Sequence, residues 1–320
     1  MLLAGTAAFL YGHVRRPRER ALFLLTRGLW LVLLELTIVR FAWVPDPTYT
    51  YIFVQVIWAI GCSMVLLAPL SLLPPRAVAL IGALVVVLHN LLDPITAESL
   101  GSAGIGWAIL HERAGFELFR GRHFVVLYPL VPWIGVIALG YGLGEIYTRS
   151  DRPKWLFVLG AALTIAFVGV RALNVYGDPE PWSLERDALF TVMSFLNCEK
   201  YPPSLSYLLM TLGPILLALA ALDRVNAAWI EPLAIFGRVP LFFYVAHLYL
   251  LRITAGALAY SRWGMDAFTP PPHGHAGSPG YPLVSAYFAW AAALLLLLPA
   301  CRWFGALKRR RAGAWWVSYV

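Results

Sequence analysis

The feature that most constrains this chain is a succession of apolar runs, each close to the roughly 20 residues an α-helix needs to cross about 30 Å of hydrocarbon. They fall at about Phe23–Trp43, Tyr51–Leu73, Ala77–Leu92, Phe124–Tyr147, Trp155–Leu173, Ser204–Leu222, Leu233–Ala255 and Leu283–Phe304. Lipid offers the backbone no hydrogen bonds, so runs of this length must satisfy their amides internally, as helices. The expectation is an all-α fold, a polytopic transmembrane helix bundle of about eight full spans. Composition agrees, with 60% of residues hydrophobic and only 13% charged, about half the charged share of a soluble domain. The runs follow one another too closely to leave room for a water-soluble module. Residues 1–320 therefore read as a single integral membrane domain.

Ahead of the first full span, Met1–Tyr11 is apolar for about 11 residues, roughly 17 Å of helix, and then meets an Arg-rich loop. A secretory signal carries its positive charge before the apolar stretch, the opposite order. This segment reads as a partial span, the end of a helix that begins upstream. N-terminal truncation of the domain is the corresponding expectation.

Basic residues occupy alternate connections: Arg15, Arg16, Arg18 and Arg20, then Arg76, then Arg149, Arg152 and Lys154, then Arg224, and finally Arg302 with Lys308–Arg311. The positive-inside rule places these, and the C-terminus, in the cytoplasm. The net charge of +8 is thus a topology signal, and nucleic-acid binding is not implied. The intervening connections include three long ones, Asp93–His123, Asn174–Pro203 and Tyr260–Tyr281, which are expected outside, where loops carry sites. Trp43, Tyr51, Tyr147, Trp155, Trp303, Trp315 and Trp316 mark run ends, as an interfacial aromatic belt requires. Cys62, Cys198 and Cys301 form no CxxC pair and read as packing residues.

An ionisable side chain inside a span costs several kcal/mol unless it is paired, solvated or neutralised, which singles out Arg27, Glu35, Arg40, His89, Arg238, His247 and Arg252. Arg27 and Arg40 lie near opposite ends of their helix, where they either snorkel as anchors or serve a site. Glu35 lies near mid-span and is expected to face the bundle interior, pairing with another helix or touching substrate. His89 and Asp93 are spaced i to i+4 at an outer helix end, where a carboxylate would orient an imidazole as a general base, or simply cap the helix. Asn90 lies between them. His247 reads as a buried neutral histidine bonded to a neighbouring helix. His273 and His275 are too few for a metal site, and none is expected. No GxSxG elbow, Walker A loop or HExxH pair is present.

Several segments together resemble one family. They are Leu25-Thr26-Arg27-Gly28-Leu29-Trp30-Leu31-Val32-Leu33-Leu34-Glu35-Leu36; Gln55-Val56-Ile57-Trp58-Ala59-Ile60-Gly61; Leu127-Tyr128-Pro129-Leu130-Val131-Pro132-Trp133; Lys200-Tyr201-Pro202-Pro203-Ser204-Leu205; and Phe236-Gly237-Arg238-Val239-Pro240-Leu241-Phe242-Phe243-Tyr244 running to His247. In content and order they are similar to the transmembrane acyltransferases typified by heparan-alpha-glucosaminide N-acetyltransferase, in their bacterial branch. The resemblance implies transfer of an acetyl or acyl group from acetyl-CoA, as co-substrate, to a sugar amine or hydroxyl outside a bacterial inner membrane. It implies that Arg27, Gln55, Trp133, Lys200, Arg238 and His247 line a central cavity for donor or acceptor. The family's catalytic histidine belongs to a span ahead of Met1 and carries over to no position here, which leaves His89 with Asp93 as the outward-facing substitute. The implied partners are the bilayer, an acyl-CoA donor and a glycan acceptor, with a homo-oligomer compatible. The rival reading is a non-catalytic membrane protein of the same fold, a transporter or partner subunit.

Overall fold

The computed structural model describes residues 1–225, 227–265, 282–311, 314, 317 and 319. The expectations for His273, His275, Trp315 and Trp316 lie outside the described residues. The fold is all-α and polytopic: among the described residues, seven helices are long and apolar enough to cross a membrane. They are accompanied by two shorter apolar helices, Leu2–Gly12 and Val56–Leu70.

Two of the eight expected spans are shorter than their apolar runs. Tyr51–Val54 and His123–Val126 are strands paired in parallel, and Ala114–Glu117 adds an antiparallel strand to the second of them. These stretches are rich in aromatic and β-branched residues, which suit a pleated surface as well as they suit lipid. The helices behind them begin only at Val56 and Leu130. A third run, Leu233–Ala255, is divided into Ala227–Arg238 and Pro240–Trp263, because Pro240 has no N–H to continue a helix but is preorganised to start one.

The chain forms two compact units, Met1–Thr37 with Thr48–Val225, and Ile38–Pro47 with Asn226–Val320. In the first, we number α1 Leu2–Gly12, α2 Pro17–Leu34, β1 Tyr51–Val54, α3 Val56–Leu70, α4 Pro75–Leu88, α5 Gly104–Leu110, β2 Ala114–Glu117, β3 His123–Val126, α6 Leu130–Tyr147, α7 Arg152–Leu173, α8 Ala188–Leu196 and α9 Leu205–Leu222. Helix pairs cross where glycine meets glycine: Gly28 with Gly61 for α2 and α3, Gly82 with Gly135 for α4 and α6, Gly160 with Gly213 for α7 and α9. A Cβ on Gly61 would lie 2.7 Å from the Gly28 oxygen. Between apolar helices in lipid, such small residues let the backbones approach and gain dispersion contacts. α1 docks on α6 in the same way, with Thr6 Oγ1 donating to the Gly140 carbonyl at 2.9 Å.

The two ends of this unit differ. One carries ion pairs, Arg76 with Glu145 at 3.4 Å and Arg152 with Asp223 at 2.7 and 2.8 Å. The other carries the sheet and the long connections 93–129 and 174–204, which meet where Tyr128 faces Tyr201. In the second unit, Phe242 stacks on Phe304 at 4.3 Å, and Ile235, Val239 and Cys301 complete its apolar core. Arg40 is buried there and paired with Asp46 at 3.5 Å, so it does not snorkel to an interface.

Candidate functional site

The expected His89–Asp93 pair does not form. The α-helix tightens at its C-terminus into a 3₁₀ turn over His89–Leu92, and three residues per turn no longer stack positions four apart. His89 is buried, and its ring nitrogens contact the Val86 carbonyl at 2.8 Å and the Pro203 carbonyl at 2.9 Å. Asp93 is taken by others. Its Oδ2 accepts the Asn90 amide at 2.8 Å, and its Oδ1 lies 2.9 Å from His111 Nε2. Asn90 Oδ1 in turn accepts the Leu205 N–H at 2.9 Å, so a side-chain chain runs from the start of α9 through Asn90 and Asp93 to His111.

His111 was not singled out by the sequence because it lies 18 residues from Asp93 in a loop with no periodicity. The loop positions it through three anchors. The Trp107 indole N–H donates to the Ile95 carbonyl at 2.7 Å, Glu112 accepts the Ala97 N–H, and β2 pairs with β3. The only local sequence signal is Trp107 four residues earlier, whose ring packs on the imidazole at 5.4 Å. His111 is 2% exposed, and among the described residues its Nδ1 has no hydrogen-bond partner. With the proton on Nε2 facing Asp93, Nδ1 carries a lone pair. That is the arrangement of a carboxylate-oriented base.

Beside this pair lies an aromatic and cationic cluster. Tyr128 stacks on Trp133 at 5.8 Å and meets Tyr201 edge-on at 5.2 Å, with the two hydroxyls 3.5 Å apart. The Lys200 amine lies 4.9 Å from the Tyr201 ring centre and the Arg113 guanidinium 5.6 Å from it. Burial would push the Tyr201 phenol up, but hydrogen bonds from Lys200 and with Tyr128, and the positive fields of Lys200 and Arg113, bring it below the ordinary tyrosine value. The reciprocal hydrogen bond with Tyr201 raises the Lys200 ammonium. Trp133 and Lys200, named from sequence, are thus brought together through two tyrosines that were not.

Behind the cluster, Arg171 is buried and donates to the carbonyls of Phe195, Glu180, Ser194 and Asn197 at 2.7 to 3.3 Å. Asp178, 3.7 Å from that guanidinium, accepts the Ser204 hydroxyl at 2.6 Å and the Glu199 N–H at 3.1 Å. These bonds hold the segment that carries Lys200 and Tyr201. Glu199 Oε1 accepts the N–H groups of both.

The remaining sequence candidates sit elsewhere. Glu35 is buried in a π-helical turn, Glu35–Val39, and its Oε2 accepts the Ile57 and Trp58 N–H groups at 3.0 and 3.1 Å, capping α3. It therefore does pair with another helix. Gln55 occupies the N-cap position of α3, and Arg27 lies 6.0 Å from the Phe23 ring centre. In the second unit, Arg238 is bidentate to Glu231 at 2.7 and 2.9 Å, both exposed. His247 bonds within its own helix, to the Phe243 carbonyl at 3.1 Å.

The apolar helices and the buried polar network at one end define an integral membrane helical protein with a histidine–carboxylate site. The family model for "Heparan-alpha-glucosaminide N-acetyltransferase, catalytic" matches residues 1–177, more than half of the chain, and the chain belongs to that family. Membership carries a membrane acyltransferase-like function. No curated protein and no solved structure matches the chain. The matched region contains Asp93, His111, Arg113, Tyr128 and Trp133, whereas Lys200, Tyr201, Arg238 and His247 lie beyond it.

Proposed function

We propose that the protein transfers an acetyl or acyl group from an acyl-CoA donor to the amine or hydroxyl of a sugar on the extracytoplasmic face of a bacterial inner membrane, with its C-terminus in the cytoplasm. The observation that carries this reading is the His111 Nε2 to Asp93 Oδ1 contact of 2.9 Å combined with an Nδ1 that has no partner among the described residues. In the reaction Nδ1 accepts the proton of the sugar amine or hydroxyl as that atom attacks the thioester carbonyl. The C–S bond breaks, and the imidazolium returns the proton to the departing thiolate. Asp93 holds the ring in the required tautomer and stabilises the imidazolium. Nδ1 is buried, so the acceptor reaches it only when the surrounding chain opens.

The test is single-turnover transfer of labelled acetyl from acetyl-CoA to a panel of amino sugars by the purified full chain. His111→Gln should lower the rate by about 10²–10⁴-fold, the usual contribution of a general base, and Asp93→Asn by a smaller factor. Unchanged rates in His111→Gln would remove this base assignment. The rival transporter reading draws on Glu35 Oε1, buried inside a span without a hydrogen-bond partner among the described residues. Sugar flux into vesicles that is abolished by Glu35→Gln, with no label transfer, would favour that reading.

A further inference from the structure

A neutral imidazole carries one N–H, and its other ring nitrogen presents a lone pair. His89 faces a carbonyl oxygen with each nitrogen: Nδ1 lies 2.8 Å from the Val86 oxygen and Nε2 lies 2.9 Å from the Pro203 oxygen. A carbonyl accepts and cannot donate, so either neutral tautomer would set lone pair against lone pair at one of these contacts. Only the imidazolium, with an N–H on both nitrogens, satisfies both. We infer that His89 is a doubly protonated latch that ties the 174–204 connection to the end of α4 and so positions the segment beside the His111 and Asp93 pair. The proton count stands on the two contacts themselves; its bearing on catalysis rests on the acyltransferase reading.

The latch sits where it controls that segment. His89 reaches Pro203, and the next residue of the same 3₁₀ turn, Asn90, accepts the Leu205 N–H at 2.9 Å. Two adjacent side chains therefore hold the stretch 203–205, immediately after Lys200 and Tyr201. Burial at 2% exposure opposes a charge on His89, and the two carbonyl dipoles and a carboxylate answer it. Among the described residues, the ionisable groups whose fields reach the ring are Asp93, which favours the cation, and His111, which opposes it when charged. The two imidazoles meet edge to face at 6.0 Å. From the 174–204 connection, Asp178 is turned to Arg171 and Ser204, and the Tyr176 hydroxyl donates to the Val87 carbonyl.

Loss of the second proton to water leaves one N–H for two carbonyls. One tie must then break, and the ring no longer bridges α4 to Pro203 without repulsion. His111 Nδ1 is buried, and opening of the chain around it is what admits an acceptor. A proton taken up by His111 during transfer would also set a second cation 6.0 Å from the first, with the one carboxylate of Asp93 to serve both. Base and latch therefore do not hold charge at once, and charging the base releases the latch.

Ring-nitrogen NMR of isotope-labelled histidine in the full chain, reconstituted in lipid nanodiscs, reads the protonation state directly, with His89 assigned through its backbone. Expected at about pH 6 is the near-equal pair of N–H resonances of an imidazolium, giving way to the unequal pair of a neutral ring as the pH rises toward about 8. Amide exchange of the peptide 199–206, corrected for the intrinsic effect of pH and referred to Trp155–Leu173, should accelerate about tenfold over the same range, the scale of one charge-assisted bond. That response should vanish in His89→Gln, which has no second proton to lose, and persist in His111→Gln. A neutral His89 at about pH 6, measured in wild-type protein, would overturn the proposal, as would an exchange response that survives His89→Gln or disappears only in His111→Gln. Label transfer from acetyl-CoA is measured in the same preparation. Transfer with a neutral His89 sinks the latch alone, and a titrating latch without transfer sinks the acyltransferase reading alone.

Discussion

Glu35 offers the sharpest test of how the first unit is held together. Its Oε2 accepts two N–H groups at the start of α3, from Ile57 at 3.0 Å and Trp58 at 3.1 Å, and the side chain is 0% exposed. The first amides of a helix have no partner inside it, and here the Glu35 carboxylate supplies one. Glu35→Leu preserves approximate volume but strands both donors. At about 1–3 kcal/mol for each buried unsatisfied group, the expected loss is about 2–6 kcal/mol. Glu35→Gln keeps a carbonyl at the same place, and its added NH₂ occupies the side where Oε1 has no partner among the described residues. Its expected cost is no more than about 1–2 kcal/mol, the difference between charge-assisted and neutral bonds. Unfolding in a fixed detergent, scanned at one rate because membrane proteins unfold irreversibly, should rank wild type, then Gln, with Leu well below. A Leu variant as stable as wild type would refute the capping account, and a Gln variant as damaged as Leu would show that charge, not acceptor geometry, matters.

Other outcomes follow from named contacts. Gly213→Leu should block the α7–α9 crossing, since even a Cβ would meet Thr164 Oγ1 at 2.5 Å and Thr164 N at 2.8 Å; an overpacking loss of about 1–3 kcal/mol is expected in the same thermal scan. Arg171→Lys cannot replace a fork that serves four carbonyls, and limited proteolysis should then cut within 174–203 faster than in wild type. Tyrosinate absorbance during a pH titration should show one tyrosine ionising below about 10 in wild type. Because neighbouring cations favour the phenolate of Tyr201, Lys200→Met should move that transition upward and Tyr201→Phe should delete it. If the lowest transition survives Tyr201→Phe, the assignment fails.

Much of the fold was legible because the bilayer imposes one length and one hydrogen-bonding solution on every span. Runs such as Trp155–Leu173 therefore became helices almost as read. Tyr51–Val54 and His123–Val126 misled because apolar content alone does not distinguish a strand from the start of a span; their pairing is set by residues about 70 positions apart. Glu35 was legible as a residue needing a partner, since burial cost identifies the problem though not the solution. The site was less legible. Helical spacing offered Asp93 either His89 as a partner or a capping role at the helix end, and the 3₁₀ turn voids that spacing. His111, Arg113, Tyr128 and Tyr201 meet only because two long connections fold over the same end of the bundle, and no local pattern records such a meeting.

The central claim is acyl transfer to a sugar outside the membrane, and its most direct test separates donor from acceptor. The full chain is reconstituted in sealed vesicles with labelled acetyl-CoA on one face and an amino sugar on the other. The account predicts labelled, acetylated sugar on the face that carries His111, and its loss in His111→Gln. Vesicles that bind or carry the sugar yet never label it, with wild-type protein intact, would contradict the account.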